Sequence, residues 1–389
     1  MRVLIAAGFL GHFGETDGVV TTYRHLLPYF ARAGVDVDVV VYGPEDRVEV
    51  QGGVRFFVHR PRLPLRVDPR RWIDLAVGRS RLARELAATR YDVVQSSTPD
   101  PLGRWARAVA RRQGRPFIAL YHTALAEYAA IRAGRVAGAA AGWLLGRTMD
   151  VLIDRYYDRA DLVLAPSESV RADLALRLHT RVNVLGRGVD CCVFHPGLRA
   201  ATGSRVRALY VGRVAPEKNL DLLARLFAAR TDVDLTIVGD GPSSAALRSA
   251  LPNATFTGRL GGETLARAYA DADLFVFPSR TDTLGNVVLE AMASGLPVVV
   301  TDSMGPKELV SHGVTGFVAP TDDAFASAVD TLAADADRRR RMGRAARAFA
   351  ETRSWGAVFE QLRDHYRRLP DRAPRPRAAR EVLHVTAHS

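Results

Sequence analysis

Short apolar runs, bounded by Gly, Pro or Asp, alternate with helical segments along most of this chain, and that alternation limits its fold more than any other feature. A strand that reads as one unbroken apolar stretch is buried on both faces, which happens where crossover helices cover a parallel sheet. In the first half the runs are "RVLIAAG", "VDVDVVVYG", "VRFFVHR", "YDVVQSS", "PFIALYH", "DLVLAPS" and "VNVLGRG". In the second half they are "RALYVGR", "DLTIVGDG", "ATFTG", "DLFVFPS", "PVVVTD" and "GFVAP". Two such series predict an α/β chain of two Rossmann-like domains facing each other across a deep cleft. A length of 389 residues is enough for each domain to bury its own core.

The join falls near "FHPGLRAATGS", where Pro196, Gly197 and Gly203 interrupt the pattern. The expected organisation is a first domain over 1–197 and a second over 198–355. A helix over 356–369 is expected to pack back on the first domain. The Pro- and Arg-rich tail 370–389 is expected to be disordered.

Lys and Arg outnumber Asp and Glu by 54 to 42, a net charge of +12 that favours phosphate-bearing substrates or an anionic membrane surface. No nucleic-acid partner is expected. Cys191 and Cys192 are adjacent, which fits neither a disulfide framework nor a metal site, and they read as packing residues. The N-terminus reads as a buried strand rather than a signal peptide, and no apolar run approaches the roughly 20 residues of a membrane span. The setting expected is cytoplasmic, with peripheral contact at the cytoplasmic membrane face as an option.

Ligands of open α/β sheets bind outside the carboxyl ends of strands. After the first strand comes "FGETDGVVTTYRHLLPYF", a Gly-bearing loop running into a helix, but Gly8, Gly11, Gly14 and Gly18 do not make the G-x-G-x-x-G dinucleotide fingerprint. The most specific stretch is "FVFPSRTDTLGNVVLEAMASGLPVVVTD". Here Asp282 lies in a loop, and Glu290, eight residues on, interrupts an apolar helix face. A carboxylate there needs polar partners, and the vicinal hydroxyls of a ribose would serve. The free amides of Leu284, Gly285 and Asn286 at the helix start can cradle a diphosphate. The structural alternative is a capping Asp282 and a Glu290 paired to arginine. In "YVGRVAPEKNLDLL", Arg213 ends a strand and Lys218 follows in the loop, two cations suited to a pyrophosphate leaving group. Arg259 in "FTGRL" is either a nucleotide contact or part of a turn.

The series "GRVAPEKN", "VGDGP", "FTGRL" and "SRTDTLGNVVLEAMASGLPVV" resembles the retaining glycosyltransferases of family 4, which have the GT-B fold. The similarity is greatest to the branch of GDP-mannose-dependent α-mannosyltransferases and sulfoquinovosyl-diacylglycerol synthases, and it runs from the first strand to "RSWGAVF". The chain departs from the family in carrying Asp282 where most members have Glu. Asp is shorter by one methylene, a change that would shift the donor-sugar contact.

The resemblance implies that Asp282 holds hydroxyls of the donor sugar and Glu290 the ribose, while Arg213 and Lys218 neutralise the diphosphate. Through "YHTALAEY" it places His122 at the sugar near the reacting centre; taken alone, a single His at a strand end reads as structural. Gly18 and Val19 match the Gly-rich first loop that faces the donor, and Glu15, Thr16 and Asp17 become sugar or acceptor contacts. "VLGRGVDCCVFHP" is similar to the branch's "RGVD", which puts Arg187, Gly188 and Asp190 at the domain join or donor cleft, with Arg187 on the acceptor side. The implied course is front-face attack with retention, catalysed by positioning and charge stabilisation. No metal or other cofactor is expected. D-x-D patterns occur at Asp36 and Asp38, Asp232 and Asp234, and Asp271 and Asp273, but they read as residues at or before strand starts.

The helical segment "GRVAGAAAGWLLGRTMDVLIDRYYDRA" carries Trp143, Leu144, Leu145 and Met149 beside Arg147 and Arg155. A buried core helix is the simpler expectation, and a lipid-facing or membrane-surface helix the alternative. "PRLPLRVDPRRW" reads as an arginine-rich loop near the same half. The leading expectation is therefore transfer of a hexose, mannose favoured, from a GDP- or UDP-linked sugar to a lipid-linked or glycan acceptor, forming an α-glycosidic bond. A UDP-sugar-dependent tailoring enzyme for a small soluble product such as an aminocyclitol is the alternative. A non-catalytic nucleotide-binding module would have no need for Asp282, Glu290, Arg213, Lys218 and His122 together.

Overall fold

The computed structural model describes residues 1–8, 18–68, 71–122, 130, 138–200 and 203–370. The first half contributes β1 (Arg2–Ala6), α1 (Gly18–Arg32), β2 (Asp36–Tyr42), β3 (Arg47–Gln51), β4 (Val54–His59), β5 (Pro64–Asp68) and β6 (Arg71–Asp74). It continues with α2 (Arg81–Ala88), β7 (Val93–Ser96), α3 (Pro101–Gln113), β8 (Phe117–Leu120), α4 (Ala139–Tyr157), β9 (Leu162–Ala165), α5 (Glu168–Arg177) and β10 (Val182–Val184). Eight of these strands form one sheet in the order β10-β9-β8-β7-β1-β2-β4-β3, parallel except for β3. Val3, Leu4 and Ile5 of β1 are fully buried because helices cover both faces of the sheet centre.

The second half contributes β11 (Val206–Val211), α6 (Asp221–Phe227), β12 (Val233–Val238), α7 (Ser244–Ala250), β13 (Thr255–Gly258), α8 (Gly262–Ala270) and β14 (Leu274–Phe277). Then follow α9 (Asn286–Ala293), β15 (Val298–Thr301), β16 (Gly316–Ala319), α10 (Asp322–Ala334), α11 (Ala336–Glu351) and α12 (Trp355–Arg368). Its sheet is wholly parallel, in the order β13-β12-β11-β14-β15-β16. In both sheets the chain winds outward from a central strand in one direction and then in the other, so a crevice opens where the order reverses, at β1/β7 and at β11/β14.

Helix α12 packs on the first half. Trp355, Val358, Phe359, Leu362 and Tyr366 share a core with α1 and the first sheet. Its start is fixed by the Ser354 hydroxyl, which accepts from Ala357 N, and by Gly188, where a Cβ would lie 2.5 Å from Trp355 N. Tyr366 OH donates to Gln95 Oε1 at 2.5 Å, and Gln95 Nε2 donates to Tyr23 OH at 2.8 Å, so the last helix reaches the centre of the first sheet through buried polar groups.

Several expectations need correction. "PRLPLRVDPRRW" is not a loop: β5 and β6 form an antiparallel ribbon. Asp74 at its base is fully buried and accepts from Leu63 N at 2.8 Å beside His59 at 2.7 Å, which anchors the ribbon without any apolar pattern. Strand β3 is a largely exposed edge held by backbone pairing, so its sequence carries little burial signal. Helix α4 is not a core helix. Gly142, Gly146, Ile153, Tyr156 and Tyr157 face inward, whereas Trp143, Leu144, Val151 and Leu152 are 67, 62, 61 and 59% exposed. Cys191 packs on the second core, but Cys192 is exposed.

Candidate active site

The β11/β14 crevice gathers the charged residues that the second half was expected to offer. Arg213 stands two residues beyond β11, and Lys218 ends a short 3-10 turn, Pro216–Lys218. Asn219 next to it adopts the left-handed conformation (φ 55°) and donates to Pro278 O at 3.2 Å, which ties this turn to the end of β14. Lys218 Nζ thereby reaches both carboxylate oxygens of Asp282 at 2.7 Å, with the two side chains only 12 and 18% exposed. The Arg213 guanidinium is about half exposed, 3.8 Å from the buried Glu217 carboxylate.

Helix α9 opens toward the same crevice. Gly285 caps it at φ +85°, a conformation disfavoured for other residues, and packs among Phe277, Val288 and Pro306. Leu284 is buried, and Asn286 begins the helix, so the amides at this terminus carry the positive end of its dipole. Glu290 lies one turn further, partly buried, and accepts from Tyr269 OH at 2.9 Å. Burial pushes its carboxyl up to about 7, offset in part by that hydrogen bond. A carboxylate has about four acceptor positions, so one phenol leaves capacity for further donors.

The facing wall comes from the first half. His122 follows β8, and its Nδ1 meets Arg187 Nη2 at 2.7 Å. Burial first, and then the Arg187 charge, hold this imidazole well below its usual range. Arg187 itself is buried, and desolvation lowers it to about 10. Tyr23 packs edge-on at 6.2 Å from the His122 ring, and its phenol lies 2.5 Å from Ser97 Oγ. Hydrogen bonds among the described residues join the walls: Thr283 Oγ1 donates to His122 O at 2.8 Å, and the Glu308 carboxylate accepts from Glu168 N at 2.7 Å and Ser169 N at 2.5 Å at the start of α5.

Thus Lys218, Asp282, Leu284, Gly285, Asn286 and Glu290 cluster on one side of the cleft, with Arg213 beside them, while His122 and Arg187 pair on the other. Gly18 opens α1, with Val19 in its first turn. Glu15, Thr16 and Asp17 lie outside the described residues. Arg259 is exposed just after β13, where its charge acts on Asp240. Asp190 is engaged locally, accepting from Cys192 N at 2.9 Å. Sequence reasoning missed Tyr269, Thr283, Tyr23 and Glu308. Each acts on a partner 21 or more residues distant in sequence, so no local pattern marks them.

Five of the six D-x-D aspartates are engaged elsewhere, and Asp36 is exposed at the start of β2. Asp38 is held by Arg55 at 2.7 Å and Tyr91 at 2.9 Å, Asp232 by Arg230 at 2.9 Å, and Asp234, inside β12 rather than before it, by Arg205 at 3.2 Å. Asp271 accepts from Ala200 N at 2.8 Å and Asp273 from Arg207 N at 2.9 Å. Among the described residues no group of three or more His, Cys, Asp or Glu side chains could hold a metal ion.

A family profile described as "Glycosyltransferase Family 4" matches residues 16–192, and one described as "Glycosyl transferases group 1" matches 205–335. The chain is 38% identical over 384 residues to a GDP-mannose-dependent alpha-mannosyltransferase of Mycolicibacterium smegmatis, covering 94% of this chain and 97% of that protein. It is 30% identical to the sulfoquinovosyl transferase SQD2 of Arabidopsis thaliana, covering 90% and 71% respectively. Among solved structures, sucrose-phosphate synthase from Thermosynechococcus elongatus superposes with a TM-score of 0.75 at 21% identity, covering 94% of this chain and 98% of that one. Anabaena HepE, solved with UDP and glucose, superposes at 0.71 with 18% identity, covering 95% and 100%. The two facing sheets are those of the GT-B fold, and the chain belongs to the family 4 glycosyltransferases.

Proposed function

We propose that this glycosyltransferase moves mannose from GDP-mannose to a hydroxyl of a lipid-linked or glycan acceptor, with retention at the anomeric carbon. The observation that carries this is the Lys218–Asp282 pair set at the α9 N-terminus with Glu290 one turn behind, all at the sheet's switch point. The choice of donor is supported by the mannosyltransferase relatives, which this chain matches over nearly their whole length.

In this reading Glu290 accepts both ribose hydroxyls, and Arg213, Lys218 and the α9 amides face the diphosphate. Asp282 binds hydroxyls of the sugar, and His122 meets it from the other wall. The anomeric C–O bond to the diphosphate breaks while the acceptor oxygen bonds to the same face of that carbon. The acceptor's proton passes to the departing phosphate oxygen. A covalent glycosyl-enzyme would need a carboxylate beside the sugar on the His122 side; among the described residues Arg187 meets that ring at Nδ1 and Tyr23 packs edge-on, while Thr283 bonds the His122 backbone carbonyl.

A thermal-shift panel tests the donor assignment. A nucleotide present at a hundred times its Kd adds about 2.7 kcal/mol to apparent stability, so GDP and GDP-mannose are expected to raise Tm by several degrees and UDP by much less. A larger rise with UDP than with GDP would overturn the GDP assignment in favour of the UDP-sugar tailoring alternative.

Peripheral membrane contact is supported by the outer face of α4, where Trp143, Leu144, Val151 and Leu152 stand beside the exposed Arg147 and Arg155 at helical spacing. No helix among the described residues is long and apolar enough to cross a membrane. Sedimentation with phosphatidylglycerol vesicles is expected to carry the protein down, more weakly as salt rises. Replacing both Trp143 and Leu144 with serine should lower the partition roughly tenfold or more. Equal sedimentation of wild type and variant would remove α4 as the contact.

A further inference from the structure

Arg187 has a role that its place near the domain join does not reveal. Its guanidinium is buried behind the His122 ring, and Nη1 donates to Leu185 O at 3.3 Å and Gly186 O at 3.1 Å, which holds the fork in place. The remaining arm, Nη2, lies 2.7 Å from His122 Nδ1. A guanidinium has only donors, so Nδ1 must accept with its lone pair, and the ring hydrogen is forced onto Nε2. Nε2 is itself buried and has no hydrogen-bond partner among the described residues. It is a donor without an acceptor on the cleft wall opposite Asp282.

We propose that Arg187 is a positioning residue that fixes His122 as the neutral Nε2–H tautomer, so that Nε2 donates to a hydroxyl of the donor sugar. The proposal rests on the donor reading above and deepens it. Of the side chains facing the ring, Tyr23 from α1 is a phenol raised to about 12, chiefly by burial, and is neutral. Thr283 contacts only the His122 carbonyl. Arg187 is thus the charged group acting on the ring among the described residues, and it opposes protonation. An imidazolium would place a second positive charge on the edge facing the sugar, where an oxocarbenium-like cation develops during transfer.

The test compares wild type with Arg187→Met, which keeps bulk but removes donor and charge, and with Arg187→Lys, which keeps charge and one donor. Wild-type kcat is expected to show no histidine ionisation in the usual imidazole range. Arg187→Met should lose at least tenfold in kcat at pH 7.5 with donor KM changed less than threefold, and its acid limb should move to higher pH than in wild type, while burial still holds the ring below the usual histidine range. Arg187→Lys should restore the flat acid side. Nitrogen-15 spectra of histidine-labelled wild-type protein, with the signal assigned by loss in His122→Gln, should show an unprotonated Nδ1. An Nδ1–H tautomer in that spectrum, or a flat pH profile with undiminished kcat in Arg187→Met, overturns the proposal. The spectrum needs no variant at Arg187, so misfolding of Arg187→Met does not remove the test. Nucleotide thermal shifts on the same samples report separately on the donor reading.

Discussion

Lys218→Ala is expected to reduce kcat by about 10²–10³-fold, the usual cost of removing one group that stabilises developing negative charge. The physical case is stronger than for an isolated cation. Lys218 Nζ neutralises both oxygens of Asp282 at 2.7 Å, so its removal takes a positive charge from the diphosphate and also leaves an uncompensated carboxylate facing it. Lys218→Arg should not restore the rate, because a broad planar guanidinium cannot occupy a site built for a compact ammonium in a 3-10 turn. The double variant Lys218→Ala/Asp282→Asn should lose less than the two single losses combined, since neutralising Asp282 removes the repulsion that Lys218→Ala creates. Turnover measured by nucleotide release, with Tm as a check on folding, decides the matter. Near-normal turnover by folded Lys218→Ala would refute the leaving-group assignment.

Glu290→Ala is expected to weaken nucleotide binding by on the order of 10²-fold or more, since two hydrogen bonds to a charged group contribute about 1.5–3 kcal/mol each. Its burial adds a pH signature. The carboxyl is raised to about 7 in the free protein, chiefly by desolvation, and only the ionised form accepts from both ribose hydroxyls. Affinity for GDP is therefore expected to be constant above pH 8 and to fall toward tenfold per unit below pH 7, as the proton must leave before the ribose binds. Glu290→Gln should bind weakly with that dependence abolished. Calorimetric titration between pH 5.5 and 8.5 measures both effects. A wild-type affinity that holds or strengthens on acidification would show that Glu290 does not hold the ribose as a carboxylate.

Much of the architecture was legible because buried parallel strands must be apolar on both faces. The runs around β1, β8, β11 and β14 therefore stand out in the sequence at the positions where the strands occur. The elements that escaped are those with no such requirement. Strand β3 and the β5–β6 ribbon are stabilised by backbone pairing and by a single buried carboxylate, Asp74. Helix α4 was misjudged for a different reason: its periodicity shows two faces, but both carry apolar residues, and the sequence does not say which one turns inward. Small residues at Gly142 and Gly146 let that face approach the core, leaving the larger Trp143 and Leu144 outside.

The sequence by itself determined the individual strands and helices of the two βα series, the helix that follows Asp282 with Glu290 inside it, and the cations in the loop after β11, because each is encoded in one short contiguous stretch. Only the tertiary structure decided which of these groups touch. Lys218 and Asp282 are 64 residues apart, His122 and Arg187 are 65 apart, and Thr283 reaches His122 across 161. Such contacts arise from the order in which parallel strands are laid into a sheet and from the closure of one sheet on another. Neither leaves a periodic trace, since a side chain that meets a distant partner needs only to be in the right place when the layers pack.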